Sequence, residues 1–344
     1  MYNRQKFEEI YDNLVNENIF QLEELRKKAL HEKNRKSVSL VSVIILFIIL
    51  SIITMTFPFF LISFIDVSSI HIVIIFQSLL MIGLFLAFSI IIFRKFTSKK
   101  SKNRTAMDIY QETYKEKIIT PLIQSFNRNL QYEPNSGLDK ELFINGEFIP
   151  WYSSNLYHSN DLVYGLLSNN CKFNMAEVFI KHLYTDSYGY QSETPIFNGL
   201  FAFIETNSSF KDRLYITKNS SYDNKESLYE RRENYYNIKT KIDSTEFENI
   251  FDVYSNNQII SLQILTHEVI EMILDFYNEF KVNFEITIKE KFIYIRFSTY
   301  DMFEVPFSNK YSLDKDTLYK YYRTLDFTLS LSTKLSDLMN NLVI

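Results

Sequence analysis

The chain has 344 residues, a formal net charge of −4 and a single cysteine, Cys171. One cysteine excludes an intrachain disulfide, and the low content of 6 glycines and 6 prolines disfavours collagen-like, linker-rich and glycine-loop architectures. This length accommodates one sizeable domain with accessory segments.

Residues 1–38 are predicted to form a cytosolic amphipathic helix. Apolar residues recur there at steps of three and four: Phe7, Ile10, Tyr11, Leu14, Val15, Ile19, Leu22 and Leu25. A short coiled coil is the alternative use of this stripe, although no strict heptad is maintained.

Residues 39–94 are predicted to be a transmembrane helical hairpin. The stretches 40–65 and 70–93 are almost free of charge, and as helices each covers roughly 36 Å, enough for a hydrocarbon core of about 30 Å. Residues 66–69 are too few to do more than turn the chain back. Two buried core helices are the alternative interpretation.

Twelve cations flank these stretches and predict their orientation. They are Arg26, Lys27, Lys28, Lys33, Arg35, Lys36, Arg94, Lys95, Lys99, Lys100, Lys102 and Arg104. The connecting turn has no Lys or Arg, so the positive-inside rule predicts a multi-pass protein of the bacterial inner membrane with both termini in the cytoplasm. The cations are candidate contacts to anionic lipid, or a topology signal alone.

Residues 95–132 are predicted to form a membrane-proximal helix. Its apolar stripe is Met107, Tyr110, Tyr114, Ile118, Leu122 and Phe126. Pro121 lacks the backbone N–H of a helix interior, so Thr120-Pro121 is expected to kink or restart this helix.

Residues 138–344 are predicted to form a cytosolic α+β domain, with a mobile loop near 219–237. Aromatic and β-branched residues predict strands at 142–150, 161–168, 171–183, 199–206 and 213–218. Helices are expected from a capping box at Thr245–Glu248, from Thr266 to Phe280, and over 313–342. The alternating runs on either side of Lys289-Glu290-Lys291 predict a β-hairpin. Because strands and helices are segregated, the class is α+β with an antiparallel sheet.

Few residues are candidates for chemistry. His267-Glu268-x-x-Glu271 is one residue short of a zinc-protease helix motif, but its polar residues share one face opposite an apolar face, as on an ordinary surface helix. His182 and Asp186 have an i, i+4 spacing that suits a metal on a helix, or an incidental surface pair. Cys171 is expected to be a buried thiol. No catalytic, cofactor-binding or metal site is predicted.

The charge is unevenly distributed. From residue 105 onward there are 23 Lys and Arg against 33 Asp and Glu. An acidic domain of this kind disfavours nucleic acid as a ligand and favours a cationic partner.

Residues 193–275 resemble a family of bacterial membrane proteins of unknown function that carry two transmembrane helices before a cytosolic α+β domain. The matching pieces are F-N-G-L-F at 197–201, E-F-E-x-x-F-D-V-Y-S at 246–255, Gln258, and the Leu-Thr pair at 265–266, while Asn257 replaces the usual Asp. The residues expected to define the fold are Phe197, Gly199, Phe201, Phe247, Phe251, Val253, Tyr254, Gln258 and Thr266. The resemblance implies no reaction.

The leading expectation for function is a non-enzymatic membrane protein whose acidic cytosolic domain acts in a scaffold, an assembly or a sensor. Its expected partners are the lipid bilayer and a protein partner or a second copy. A membrane-active effector and a metal-dependent hydrolase are the alternatives.

Overall fold

The computed structural model describes residues 2–62, 79–83, 85–90, 104–148, 156–219, 238–299, 302–305 and 314–342. They divide into two compact units. The first comprises Met1–Ile19 and Thr113–Ile344, and the second comprises Phe20–Glu112.

Helices begin and end the described chain. They are α1 (Tyr2–Ile62), α2 (Ala106–Tyr114), α3 (Thr120–Gln124), α4 (Lys140–Asn145), α5 (Thr245–Ile250), α6 (Gln258–Ile264), α7 (His267–Phe280) and α8 (Lys315–Leu342), with two further helical pieces at 79–83 and 85–90. A π-helical segment, Lys115–Ile119, joins α2 to α3.

The strands form one antiparallel sheet in the first unit. They are β1 (Gln131–Glu133), β2 (Leu156–Leu166), β3 (Lys172–Thr185), β4 (Gln191–Lys218), β5 (Ile238–Lys239), β6 (Phe251–Ser255) and β7 (Asn283–Ser298). Their order is β1-β2-β3-β4-β6-β5, and β7 also pairs with β4. The predicted α+β class with an antiparallel sheet is confirmed.

The predicted transmembrane hairpin is wrong. Among the residues that the structure describes, no helix is long and apolar enough to cross a membrane. Residues 40–62 are the end of a single 61-residue helix, and 79–83 and 85–90 are all that is described of the second stretch. The turn at 66–69 lies outside the described residues. The effector hypothesis required this hairpin and is not retained, while the inner-membrane localisation stays a prediction.

The second unit contains most of α1 and the start of α2. Leu22, Ala29 and Tyr110 are buried, and the backbone N–H of Ala106 donates to Glu32 Oε2 at 3.2 Å. Large apolar side chains that remain exposed in this unit are Phe20, Ile44, Ile45, Ile48, Ile49, Leu50, Ile52, Ile53, Leu79, Leu80, Ile82, Phe85, Leu86, Ile90 and Ile109. This unit therefore does not bury them within itself.

Strand β7 continues without interruption through residues 289–291, where a hairpin turn was predicted. Its residues 292–298 pair with 199–205 of β4, and its residues 286–290 pair with 210–216, always antiparallel. Glu290 has φ of 53° and acts as a one-residue kink, and the pairing register with β4 shifts on either side of Phe210. The predicted hairpin is therefore wrong: Lys289–Lys291 is an irregularity within one strand, not a turn.

This irregularity bends the sheet sharply. Glu285 and Arg296 lie 11 residues apart on β7, so a straight strand would separate them by about 36 Å. Instead, Arg296 Nε donates to Glu285 Oε2 at 2.7 Å. The guanidinium also lies over the rings of Phe148 (5.2 Å to the centroid) and Phe197 (5.4 Å). The two halves of β7 therefore face each other across a partly buried ion pair.

Aromatic side chains fill the core on both sides of this bent sheet. On one side, Phe143, Phe201 and Tyr294 belong to a cluster buried between the sheet and α4. On the other, Phe276 of α7 stacks on Phe327 of α8 with centroids 4.1 Å apart. Phenylalanine and tyrosine side chains thus supply much of the core of the described residues.

Local helix predictions succeed where a capping residue is present. Thr266 caps α7, since its Oγ1 accepts from the N–H of Val269 at 3.4 Å, and the helix ends at Phe280 as predicted. The predicted cap of α5 is one residue off, because Ser244 accepts from the N–H of Phe247. Residues 140–145 form α4 instead of the predicted strand at 142–150. Of the predicted loop near 219–237, residues 220–237 lie outside the described part.

Candidate functional site

A π-helical turn places a lysine inside the first unit. Pro121 provides no N–H to the helix, and the N–H of Thr120 bonds to the carbonyl of Lys115, one residue further back than in an α-helix. Lys115 is consequently buried, with its side chain 9% exposed. The predicted irregularity at Thr120-Pro121 is confirmed and takes the form of this wider turn.

The ammonium group of Lys115 lies against two carboxylates. Its Nζ donates to Asp161 Oδ1 at 2.7 Å and Oδ2 at 2.8 Å, and to Glu304 Oε1 at 3.0 Å. Asp161 also accepts from Tyr132 and, at 2.5 Å, from Asn160 Nδ2. These five residues are called the Lys115 cluster below.

The backbone of Asp161 is held in an uncommon conformation. It has φ of 57°, in the left-handed region, at a point where the β2–β3 register shifts between Asn160 and Val163. Its N–H donates to the carbonyl of Pro134 at 3.1 Å. This bulge aims the carboxylate into the protein, where it meets Lys115.

The charged groups of the Lys115 cluster are paired with one another. Burial lowers the pKa of Lys115, but Asp161 and Glu304 raise it further, so its net pKa lies above the usual range and the ammonium stays charged. Burial, with Asp161 beside it, raises the pKa of Tyr132. Both shifts favour the protonated forms of Lys115 and Tyr132 near neutral pH.

Glu177 of β3 binds the segment 302–305 through hydrogen bonds. Its Oε1 accepts from the backbone N–H groups of Met302 (2.5 Å) and Phe303 (2.9 Å). Together with the bond from Lys115 to Glu304, this binds the segment at three consecutive residues.

The second candidate feature is the exposed hairpin between β3 and β4. The β3–β4 hairpin extends past the last described partners of its neighbours: β2 pairs with β3 no further than Lys181, and β7 pairs with β4 no further than Gly199. Residues 182–198 between these limits, called the tyrosine hairpin below, pair with one another up to Thr185 and Gln191.

The turn of the tyrosine hairpin is well organised. Asp186 Oδ1 accepts from the backbone N–H groups of Tyr188 and Tyr190, both at 2.9 Å. The N–H of Asp186 donates to the carbonyl of Tyr190 at 3.0 Å, and Gly189 provides the left-handed residue with φ of 84°. An Asx turn of this kind holds the tip without a core beneath it.

Three tyrosines are displayed at this tip. Tyr184 is 56% exposed, Tyr188 86% and Tyr190 76%. Their rings pack on no described aromatic or cationic side chain. Because burying an aromatic ring in a partner removes its apolar surface from water, such residues are frequent at the centres of protein interfaces.

The predicted metal candidates are placed apart from any donor cluster. The described residues contain no group of three or more His, Cys, Asp or Glu side chains arranged for a metal. His267 and Glu271 form an exposed pair on α7 at 3.0 Å. His182 lies in β3 and Asp186 in the turn, so the alternative of a metal pair on a helix does not apply to them. Cys171 is a buried free thiol.

The predicted membrane-surface cations have mixed environments. Arg26 is buried against Glu23, Lys28 pairs with Glu24 at 2.7 Å, and Arg104 pairs with Glu112 at 3.0 Å. Lys27 lies near Glu23 and Lys33 is exposed. Outside the description are the side chains of Arg35 and Lys36 and all of Arg94, Lys95, Lys99, Lys100 and Lys102. A role of these cations toward lipid stays a prediction.

Most of the residues that carry the family resemblance are buried or closely packed. Five aromatic side chains and one valine are buried: Phe197, Phe201, Phe247, Phe251, Tyr254 and Val253. A β-carbon on Gly199 would overlap the carbonyl oxygen of Phe297. Gln258 is exposed, and the cap of α6 is Asn257, whose side chain accepts from the N–H of Ile260. Asn and Asp cap helices equally well, which explains the exchange at this position.

The comparisons with known proteins identify one domain. Residues 195–336 match the family described as "Protein of unknown function (DUF3137)". This segment is therefore similar to the DUF3137 family. The matched segment covers less than half of the 344 residues and includes most of β4, all of β7 and α7, and most of α8. The likeness to a family of unknown function is confirmed, and its two-span character is not supported.

The comparisons with curated proteins and with solved structures give no further family. No curated protein is similar enough to count as a match. The crystal structure of the mycobacterial trehalose monomycolate transport factor A, TtfA, is 9% identical and has a TM-score of 0.35, with 67% of this chain and 93% of that chain covered. Such a score does not establish a shared fold, and the role in transport belongs to the mycobacterial protein alone.

Sequence reasoning missed both principal features of the site. Lys115 and Asp161 are 46 residues apart, and nothing local marks either as buried. The tyrosine hairpin left a signal that was not used: Asp186-Ser187-Tyr188-Gly189 is a turn sequence between residues that pair as strands.

Proposed function

We propose that this chain is a non-catalytic docking protein that binds a partner protein through the tyrosine hairpin. The observation that carries the proposal is the display of three exposed tyrosines, Tyr188 and Tyr190 in a turn held by Asp186 and Tyr184 in the adjoining strand. A preorganised turn loses little conformational entropy on binding, so more of the contact energy contributes to affinity.

In this proposal the Lys115 cluster has a structural role. It is buried, its charged groups face one another, and the lysine stays protonated. Its contribution is to hold the π-helical turn, β2 and residues 302–305 together as a rigid base for the sheet that carries the hairpin. A rigid support of this kind is what an exposed binding element requires.

Site-specific crosslinking tests the proposal. A photo-reactive benzoylphenylalanine replaces Tyr188 in the full chain, expressed in its native host, and the control carries the same group at Ile259, which is 71% exposed on α6. We expect a discrete adduct with a second polypeptide from position 188 only. Replacing Tyr184 and Tyr190 with serine in the same chain is expected to abolish it.

Two outcomes would contradict docking at this site. Equal adducts from positions 188 and 259 would show general surface stickiness instead of a defined interface. An adduct consisting of two copies of this chain would show that the tyrosine hairpin mediates self-association and does not bind a different protein.

A further inference from the structure

We infer that the partner of the tyrosine hairpin presents arginine side chains, in an extended basic segment or patch. This inference rests on the docking function proposed above and concerns the chemistry of what is docked. Three observations support it: the uncovered tyrosine rings, the carboxylate of Asp186 in the same turn, and the net negative charge of residues 105–344.

The first observation concerns which aromatic rings already carry a cation. Within the first unit, Arg4 lies over the ring of Tyr319 at 5.3 Å, Lys281 over Tyr277 at 4.8 Å and Lys315 over Tyr11 at 5.0 Å. No described cation lies over the three exposed rings of the tyrosine hairpin. Electron-rich ring faces attract guanidinium and ammonium groups, so these rings can accept cations from outside.

The second observation concerns the carboxylate at the tip. Asp186 uses Oδ1 for the two backbone N–H groups of the turn. No described group donates a hydrogen bond to its Oδ2, which therefore remains available as an acceptor in the turn that carries Tyr188 and Tyr190. A planar guanidinium can stack on a ring and donate to a carboxylate at the same time, which a compact ammonium does less well.

The third observation is the long-range field. Residues 105–344 carry 23 basic against 33 acidic side chains, and at the hairpin Lys181 is already paired with Glu193 at 2.7 Å. An acidic surface attracts a basic partner and raises its rate of association, particularly at low ionic strength. Arginine is also the charged residue most enriched at interface centres, where it meets tyrosine.

Binding of a synthetic peptide tests the inference directly. The probe is a fluorescein-labelled peptide of Gly-Arg-Ser repeats, with the same peptide carrying citrulline in place of arginine as the uncharged control. Fluorescence anisotropy with the full chain is expected to show binding about tenfold tighter for the arginine peptide.

Matched variants separate ring chemistry from net charge. Tyr188→Leu with Tyr190→Leu leaves the charge unchanged and is expected to weaken arginine-peptide binding about tenfold, whereas the Phe pair retains the ring faces and stays within about twofold. Asp186→Asn preserves the Asx turn and is expected to weaken binding about threefold and to reduce its salt dependence.

The results distinguish this inference from the proposed function. Equal binding of both peptides, or arginine-peptide binding unchanged in the Leu pair, overturns the arginine inference. If the adduct at position 188 still forms and still depends on the tyrosines, docking stands with a different partner chemistry. If that adduct is absent as well, the docking function fails independently.

Discussion

Replacing Lys115 with methionine is expected to lower the free energy of unfolding by about 3–5 kcal/mol. Methionine fills a similar volume but leaves the fully buried carboxylate of Asp161 without its ammonium partner, and Glu304 loses its bond as well. Chemical denaturation of the full chain, followed by circular dichroism, measures the change.

A surface pair provides the matched control for Lys115. Lys172 is 67% exposed and bonds to Glu205 at 3.0 Å, so Lys172→Met is expected to cost less than about 1 kcal/mol. Adding Asp161→Asn to Lys115→Met removes the stranded charge, and Asn tolerates the left-handed backbone at 161. The double variant should therefore recover part of the loss. Equal costs for the Lys115 and Lys172 variants would contradict the fastening role.

The pH dependence of this effect has a definite sign. The pKa of Lys115 is raised in the folded protein above its ordinary 10.5, because the bonds to Asp161 and Glu304 outweigh burial. Its stabilising contribution is thus fully present below pH 10.5 and is lost only as the pH rises through the folded pKa. The difference between wild type and Lys115→Met should stay constant near neutrality and shrink in strong alkali.

Replacing Gly199 with alanine is expected to lower the free energy of unfolding by about 3 kcal/mol or more, or to prevent folding. Gly199 pairs with Ser298, and a β-carbon there would overlap the carbonyl oxygen of Phe297, while the backbone nitrogen of Thr299 would lie 3.0 Å away. Because these are backbone atoms, no side-chain rotation relieves the overlap. The two long strands β4 and β7 would have to separate.

Gly83 provides the control for a glycine without neighbours. A β-carbon there has nothing within 4 Å, and the residue is helical, so Gly83→Ala is expected to be neutral or to stabilise by up to about 1 kcal/mol. Soluble yield and denaturation midpoint are measured for both variants. A Gly199→Ala protein with the wild-type midpoint would show that β4 and β7 pack less closely at this point.

Elements with a local physical cause could be predicted from the sequence. Thr266 begins α7 because its hydroxyl accepts a backbone N–H, and α7 buries Val269, Ile270, Ile273 and Phe276 on the face opposite His267. The aromatic and β-branched residues of 171–183 likewise predicted most of β3. In each case the determinant lies within a few residues of its effect.

The strand β7 shows where such reasoning fails. Charged residues at 289–291 between two alternating runs are typical of a hairpin turn, yet Glu290 only kinks a continuous strand. The choice depends on β4, which is long enough to pair with both runs, and on the Arg296–Glu285 ion pair across the bend. Neither partner is local to the kink.

The sequence by itself determined the α+β class, the acidity of residues 105–344, the capped helix α7 and the irregularity at Pro121, because composition, capping and the missing proline N–H act locally. Only the tertiary structure decided that 40–62 belongs to one long helix, that β7 bends instead of turning back, and that Lys115 meets Asp161. These outcomes depend on contacts between residues far apart in the chain, and burial then gives such contacts energies that a local pattern does not encode.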